Sequence, residues 1–132
     1  MAVKLHKAGY EHALKLITSG LEVEPDHGNW DEVQPTQDEI VRYLDTHSLK
    51  DYGLWFLGVD TSKPEKDPAH YVYPYGDLKV VHESALIIAE EDAMDKDLTD
   101  IEQAAGVLLD MNKTKIKKSF FIFFNSKKGV SA

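Results

Sequence analysis

Apolar side chains recur at helical spacing near the start of the chain. Tyr10, Ala13, Leu14 and Ile17 occupy positions i, i+3, i+4 and i+7 of one face. This spacing predicts an amphipathic helix over residues 8–19. Gly20 follows directly and is typical of a helix C-terminal stop.

Two capping-box patterns predict the starts of further helices. Thr36 is followed by Glu39, and Thr99 is followed by Glu102. In such a box the hydroxyl accepts from the backbone N–H three residues on, and the carboxylate accepts from the cap's own N–H. Apolar residues at helical spacing follow each box: Ile40, Val41, Tyr43 and Leu44 after the first, and Ile101, Ala104, Ala105, Leu108 and Leu109 after the second.

The stretch from Asp51 to Ala93 holds the longest apolar runs of the first 112 residues. Residues 54–59 are typical of a buried strand or of the end of a helix that begins near Leu49, and we favour the strand. Residues 60–69 form a charged, proline-containing loop, and residues 70–75 are extended. Pairing of the two extended runs across this loop predicts a β-hairpin. Tyr71, Tyr73 and Tyr75 would then share one face by the period of two.

After the hairpin, Asp77 fits the N-cap of a helix that starts at Leu78. The buried face of that helix is predicted at Val81, Ala85, Ile88 and Ala89, and Leu86 and Ile87 widen it. Residues 21–34 are rich in turn formers, so we expect an irregular segment that Trp30 anchors to the body.

Together these patterns predict an α+β fold: one mainly helical domain, about four helices with a short β-hairpin, over residues 1–112. Residues 113–132 form a separate C-terminal tail. The tail contains six lysines and no acidic residue, and it includes the run Phe-Phe-Ile-Phe-Phe at 120–124.

Charge and composition narrow the classes of function. The formal net charge is −8, and removing the tail's six positive charges leaves −14 on residues 1–112. A body this acidic repels phosphate backbones, so we expect no duplex nucleic acid as a partner. The chain has no cysteine, which excludes disulfides and thiolate metal sites. It has neither a secretory signal nor an apolar run that would span a membrane, so we expect a cytoplasmic protein.

Asp60, Asp77 and His82 are the candidates for acid–base or metal chemistry, because they flank the aromatic cluster where burial shifts pKa values. No paired-histidine metal motif occurs, and no glycine-rich phosphate loop or serine elbow occurs either. The sequence therefore predicts no cofactor. A structural role competes with the catalytic one, since Asp77 already serves as a cap in this interpretation.

Four aromatic residues are the candidates for a binding surface: Trp55, Tyr71, Tyr73 and Tyr75. Rings on one face of a strand stack well on flat ligands and on partner side chains. The competing interpretation is that the rings pack under a helix and form the core.

Three segments resemble a family of small bacterial and phage-associated proteins of uncharacterised activity. They are Trp-Phe-Leu-Gly-Val-Asp at 55–60, Tyr-Val-Tyr-Pro-Tyr-Gly-Asp-Leu-Lys-Val-Val-His at 71–82, and Asp-Ile-Glu-Gln-Ala-Ala-Gly-Val-Leu-Leu at 100–109. The resemblance covers about half of the chain and does not extend to the Lys/Phe-rich tail. It implies no activity, cofactor or catalytic residue.

The sequence favours a small acidic, non-enzymatic protein that binds a protein partner. The alternative is an enzyme or metal-binding protein with its site near Asp60, Asp77 and His82. The oligomeric state does not follow from the sequence.

Overall fold

The computed structural model describes residues 2–19, 23–24 and 30–112 of the chain. The N-terminal part contains β1 (Val3–Leu5), α1 (Lys7–Thr18), β2 (Val23–Glu24), α2 (Trp30–Val33), α3 (Gln37–Thr46) and α4 (Leu49–Gly53). The rest contains β3 (Phe56–Asp60), a 3-10 turn (Pro68–His70), β4 (Tyr71–Pro74), β5 (Val81–His82), α5 (Glu83–Asp95) and α6 (residues 99–112). This is an α+β fold, as the sequence predicts. The predicted tail, 113–132, and the Gly20 stop lie outside the described residues.

The main sheet has three antiparallel strands in the order β1-β3-β4. The predicted hairpin is confirmed, since β3 pairs with β4 and sets Gly58 opposite Val72. The third strand, β1, pairs with the other side of β3 and sets Lys4 opposite Val59. It was not predicted, because three residues are too few for a period-two pattern to be recognised. A second, two-stranded sheet pairs β2 with β5 in parallel.

Helices pack on the sheet through small and apolar side chains. Gly9 of α1 lies so close to β3 that a Cβ there would come within 1.9 Å of the Phe56 carbonyl oxygen. On the other side, Ile101 of α6 comes against Gly58 of β3. The core joins side chains of α1, β3, α5 and α6, among them Ala13, Ile17, Phe56, Leu57, Leu86, Ala89, Ile101, Ala105 and Leu108.

Of the two predicted capping boxes, the first is confirmed and the second is not. Thr36 caps α3, and the reciprocal contact joins the Thr36 N–H to the Glu39 carboxylate at 3.1 Å. Thr99 is the first helical residue of α6 and not its cap, and the Glu102 N–H donates to the Leu98 carbonyl at 3.0 Å.

Another box, which joins Ser48 to Asp51, starts α4. The apolar face predicted for α6 is buried along its length. Trp30 is buried, as predicted for an anchor.

Three other predictions are wrong. Asp77 does not cap a helix at Leu78, because α5 begins at Glu83 after His82. Ile88, predicted on the buried face of α5, is 44% exposed, whereas Leu86 on the same predicted face is buried. The segment predicted as irregular contains β2 and α2.

Among the described helices, none has the length and apolar character needed to cross a bilayer. The cytoplasmic location and the domain boundary at residue 112 stay predictions.

Replacement of glycine by alanine should have opposite effects on stability in α1 and in α6. Gly9→Ala should destabilise the fold by about 2–3 kcal/mol, because the new methyl group meets backbone that is fixed in the sheet. Gly106→Ala meets the Glu90 carboxylate oxygen at 2.9 Å, which is the movable end of a side chain. That substitution should stabilise the fold by up to about 1 kcal/mol, since alanine favours helix. Urea unfolding measures both, and a Gly9→Ala variant as stable as the native chain would contradict this packing.

Candidate functional site

Asp77 and His82 form a hydrogen-bonded pair. The His82 Nε2 donates to Asp77 Oδ2 at 2.9 Å, and His82 is buried. The other carboxylate oxygen of Asp77 accepts from the backbone N–H groups of Lys79 at 3.0 Å and Val80 at 2.8 Å. The carboxylate therefore closes the turn between β4 and β5 and fixes the histidine ring, which also lies 5.5 Å from the ring of Trp30.

The environment of Asp77 keeps its carboxyl group ionised. Burial acts to raise its pKa, but the hydrogen bonds from His82, Val80 and Lys79 outweigh this effect and hold the pKa below its ordinary value. A general acid at neutral pH needs the opposite shift. Asp77 is thus placed as a constant acceptor for the turn and for His82.

Asp60 lies at the opposite end of β3 from this pair. It ends the strand, whereas Asp77 lies beyond Pro74, whose partner is Phe56 at the start of the strand. Four residues of strand correspond to about 13 Å. The Asp60 carboxylate accepts from the Ser62 N–H at 2.9 Å and from the Ser62 hydroxyl at 2.6 Å. The structure brings Asp77 and His82 together and does not bring Asp60 to them.

The four aromatic candidates differ in their exposure to solvent. Trp55 and Tyr75 are buried, at 6% and 0% exposure, and only Tyr71 and Tyr73 keep part of their surface accessible. Tyr73 has a φ of 62°, which departs from strand geometry, so the shared face expected from alternation does not form. Two of the four candidate rings therefore lie in the core, as in the competing interpretation, and the other two are half-buried.

Tyr75 holds three segments together. Its hydroxyl donates to the Leu54 carbonyl at 2.7 Å and lies 2.8 Å from the Nδ1 of His12. Because the one hydroxyl proton goes to Leu54, the His12 Nδ1 is the donor to the phenol oxygen. Burial raises the pKa of Tyr75 far above its ordinary value, and burial lowers the pKa of His12. Tyr75, a candidate binding residue in the sequence analysis, is therefore a buried residue that holds the fold together.

A groove follows the outer edge of β1. A cavity of about 550 Å³ is lined by Val3, Lys4 and Leu5 on one side and by residues 97–101, at the start of α6, on the other. A second cavity of about 440 Å³ continues it, since both include Val3 and Leu98. The second is lined in addition by Ala2, Asp60, Val72, Tyr73, Asp92 and Lys96.

The backbone of β1 presents hydrogen-bonding groups to this groove. The Ala2 carbonyl accepts from Thr61 and the His6 N–H donates to Leu57, each at 2.8 Å, so alternate residues of the strand bond toward β3. In an antiparallel pair the residues between them direct N–H and C=O away from the partner. The N–H and C=O groups of Val3 and Leu5 therefore point outward. Of the strands that the structure describes, none pairs with that side of β1.

Carboxylates predominate around the groove. Its lining includes Asp60, Asp92, Asp97 and Asp100 against two lysines, Lys4 and Lys96. Hydrogen bonds from Ser62 lower the pKa of Asp60. The hydrogen bond from the Tyr73 hydroxyl, followed by that from Lys96, lowers the pKa of Asp92. Asp60 and Asp92 are therefore negative at neutral pH, and Lys96 is already held 3.0 Å from Asp92.

The sequence did not reveal these groove residues because they come from four separated segments. The alternation Val3-Lys4-Leu5 before the first helix agrees with a strand, but three residues are too few for the pattern to be recognised. Across the described ranges, no three histidine or acidic side chains are grouped so that they could hold a metal ion.

No family model, curated protein or solved structure matches this chain. The resemblance to small bacterial and phage-associated proteins stays a prediction.

The lowered pKa of Asp77 predicts a pH-dependent effect of one substitution. Asp77→Asn should destabilise the fold by about 1–2 kcal/mol at pH 6, since hydrogen bonds to a charged acceptor are lost. A carboxyl whose pKa is lowered on folding contributes stability above its unfolded pKa, near 3.8, and loses it as the pH falls through the lower folded value. The difference between native and Asp77→Asn chains should therefore shrink between pH 4 and pH 3.

Urea unfolding at stepped pH measures this difference. Asp45→Asn, at an exposed position of α3, is the matched control and should change stability by less than about 0.5 kcal/mol. A cost of Asp77→Asn that is equal at pH 6 and pH 3 would show that the charge of Asp77 is not what stabilises the turn.

Proposed function

We propose that this chain is a small acidic protein-interaction protein that binds an extended, basic segment of a partner along the outer edge of β1. The observation that carries the proposal is the outward direction of the Val3 and Leu5 backbone groups into a groove lined by carboxylates. Addition of a strand to a sheet edge is a recurrent mode of peptide recognition, in which the main chain supplies affinity and alternate side chains supply specificity.

The lining of the groove specifies the chemistry of the partner. A strand that pairs with β1 directs alternate side chains to opposite sides. Apolar side chains suit contact with Val3 and Leu5, which are half-buried, while lysine or arginine suits the carboxylates of Asp97 and Asp100, which are both exposed. An acidic strand would meet like charges, which disfavour it.

The size of the edge supports a weak, exchangeable complex. Two residues offer four outward backbone groups, and each hydrogen bond contributes a net of about 0.5–1.5 kcal/mol. The contact is smaller than the area of about 1,200 Å² or more that stable complexes bury. We therefore expect dissociation constants in the micromolar range.

The alternative site near Asp60, Asp77 and His82 is less well supported. Asp60 lies at the far end of β3, and the pKa of Asp77 is shifted in the direction that disfavours proton donation. Asp60 takes part in the proposed function in another role, as one of the carboxylates of the β1 groove.

The test uses a fluorescent probe peptide of four Lys-Val repeats and fluorescence anisotropy. The full-length chain carries Phe121→Ser and Phe123→Ser, because the apolar run at 120–124 and its flanking lysines resemble the probe in composition. In this background, Asp97→Asn with Asp100→Asn should weaken probe binding about 5-fold, since two exposed ion pairs contribute about 1 kcal/mol together. Asparagine tolerates the positive φ of 57° at Asp97, so the turn before α6 is kept.

The matched control removes two charges elsewhere. Glu91→Gln with Asp110→Asn alters exposed acids on α5 and α6 that do not line the groove, and probe affinity should not change. A peptide of Glu-Val repeats should not bind, and salt at 0.5 M should weaken the Lys-Val probe. Equal losses in the two double variants, or no binding of the Lys-Val probe, would contradict the proposal.

A further inference from the structure

We infer that the strand accepted by the β1 groove is the chain's own apolar run, residues 120–124, docked in cis so that the protein blocks its own binding edge. This inference rests on the proposed function and names the segment that occupies the groove in the free protein. It connects the groove with the Phe-rich run, which the proposed function does not otherwise use.

The position of α6 gives the run the necessary reach. The helix starts in the groove, where Asp100 and Ile101 line the cavity, and it is described as far as residue 112. Fourteen helical residues rise about 21 Å. Seven extended residues from 113 to 119 span up to about 25 Å, so residue 120 is able to return to the level of the groove.

The charges of the two parts are complementary. Lys117 and Lys118 precede the run, Lys127 and Lys128 follow it, and residues 113–132 contain no acid. The groove carries Asp97 and Asp100 at its exposed rim. A strand laid along β1 brings flanking lysines toward these carboxylates, while the phenylalanines meet the half-buried side chains of Val3 and Leu5.

Docking would also protect both the open edge of β1 and the apolar run from association with other chains. An open edge strand pairs readily with other chains, and five consecutive apolar residues of high β-propensity favour aggregation. Pairing of the run with β1 satisfies the outward groups of Val3 and Leu5 and covers the phenyl rings. When extended, the run spans about 17 Å, so it is long enough to pair with all three residues of β1.

Docking in cis has an advantage over docking on a second copy. A connection of only seven residues corresponds to an effective concentration in the millimolar range, well above a micromolar concentration of free chains. A partner strand must displace the run, so the affinity of the chain for partners is lowered until a stronger competitor arrives.

The test compares the native chain with the full-length variant Phe121→Ser, Phe123→Ser, using the Lys-Val probe. We expect the variant to bind the probe about 10-fold more tightly than the native chain, because the competing strand is lost. Val130→Ser, an apolar-to-polar change beyond the run, is the control and should bind as the native chain does. Lys117→Glu with Lys118→Glu should also tighten probe binding, and it keeps the phenylalanines intact.

The outcomes separate the two proposals. Equal probe affinity of the native chain and both double variants would overturn cis docking and leave the proposed function standing. No binding to any chain would overturn the proposed function as well. Sedimentation velocity at micromolar concentration should give a native monomer. A native dimer that Phe121→Ser, Phe123→Ser dissociates would place the run on a second copy and overturn the cis inference.

Discussion

The pairing of β3 on both of its sides is the constraint on which the rest of the structure depends. β3 takes β4 on one side and β1 on the other, and α1 lies against its backbone at Gly9. These contacts bury β3, since Leu57 has no exposed surface. They also leave β1 as an outer strand of three residues, with Val3 and Leu5 directed away from the sheet. The core and the proposed binding edge therefore have the same origin.

The buried polar side chains near this strand are explained by hydrogen bonding within the fold. Tyr75 satisfies the Leu54 carbonyl that follows α4, and His12 of α1 satisfies the Tyr75 oxygen. Asp77 satisfies two backbone amides and His82 in the same way. A buried polar group without a partner costs about 1–3 kcal/mol, so these side chains are explained by the stability of the fold itself. Aromatic and titratable residues in a cluster are thus no proof of chemistry.

Features set by near neighbours were predictable from the sequence. The Thr36 capping box and the apolar face of α6 depend on residues three or four apart, and both are observed. Features set by tertiary contacts were not predictable. Asp77 is hydrogen-bonded to His82 and does not start a helix. The Tyr73 hydroxyl donates to Asp92 on α5 at 2.5 Å. The groove is the extreme case, because its carboxylates converge only when β1, β3, α5 and α6 are assembled.

Amide hydrogen exchange along β1, followed by NMR, tests the central claim most directly. Val3 and Leu5 direct their N–H groups to the groove, and Lys4 between them is bonded toward β3, so it is an internal reference. If residues 120–124 occupy the edge, the amides of Val3 and Leu5 exchange slowly in the native chain and quickly in Phe121→Ser, Phe123→Ser, while Lys4 stays protected in both. Equal exchange rates of Val3 and Leu5 in the two chains would contradict the account.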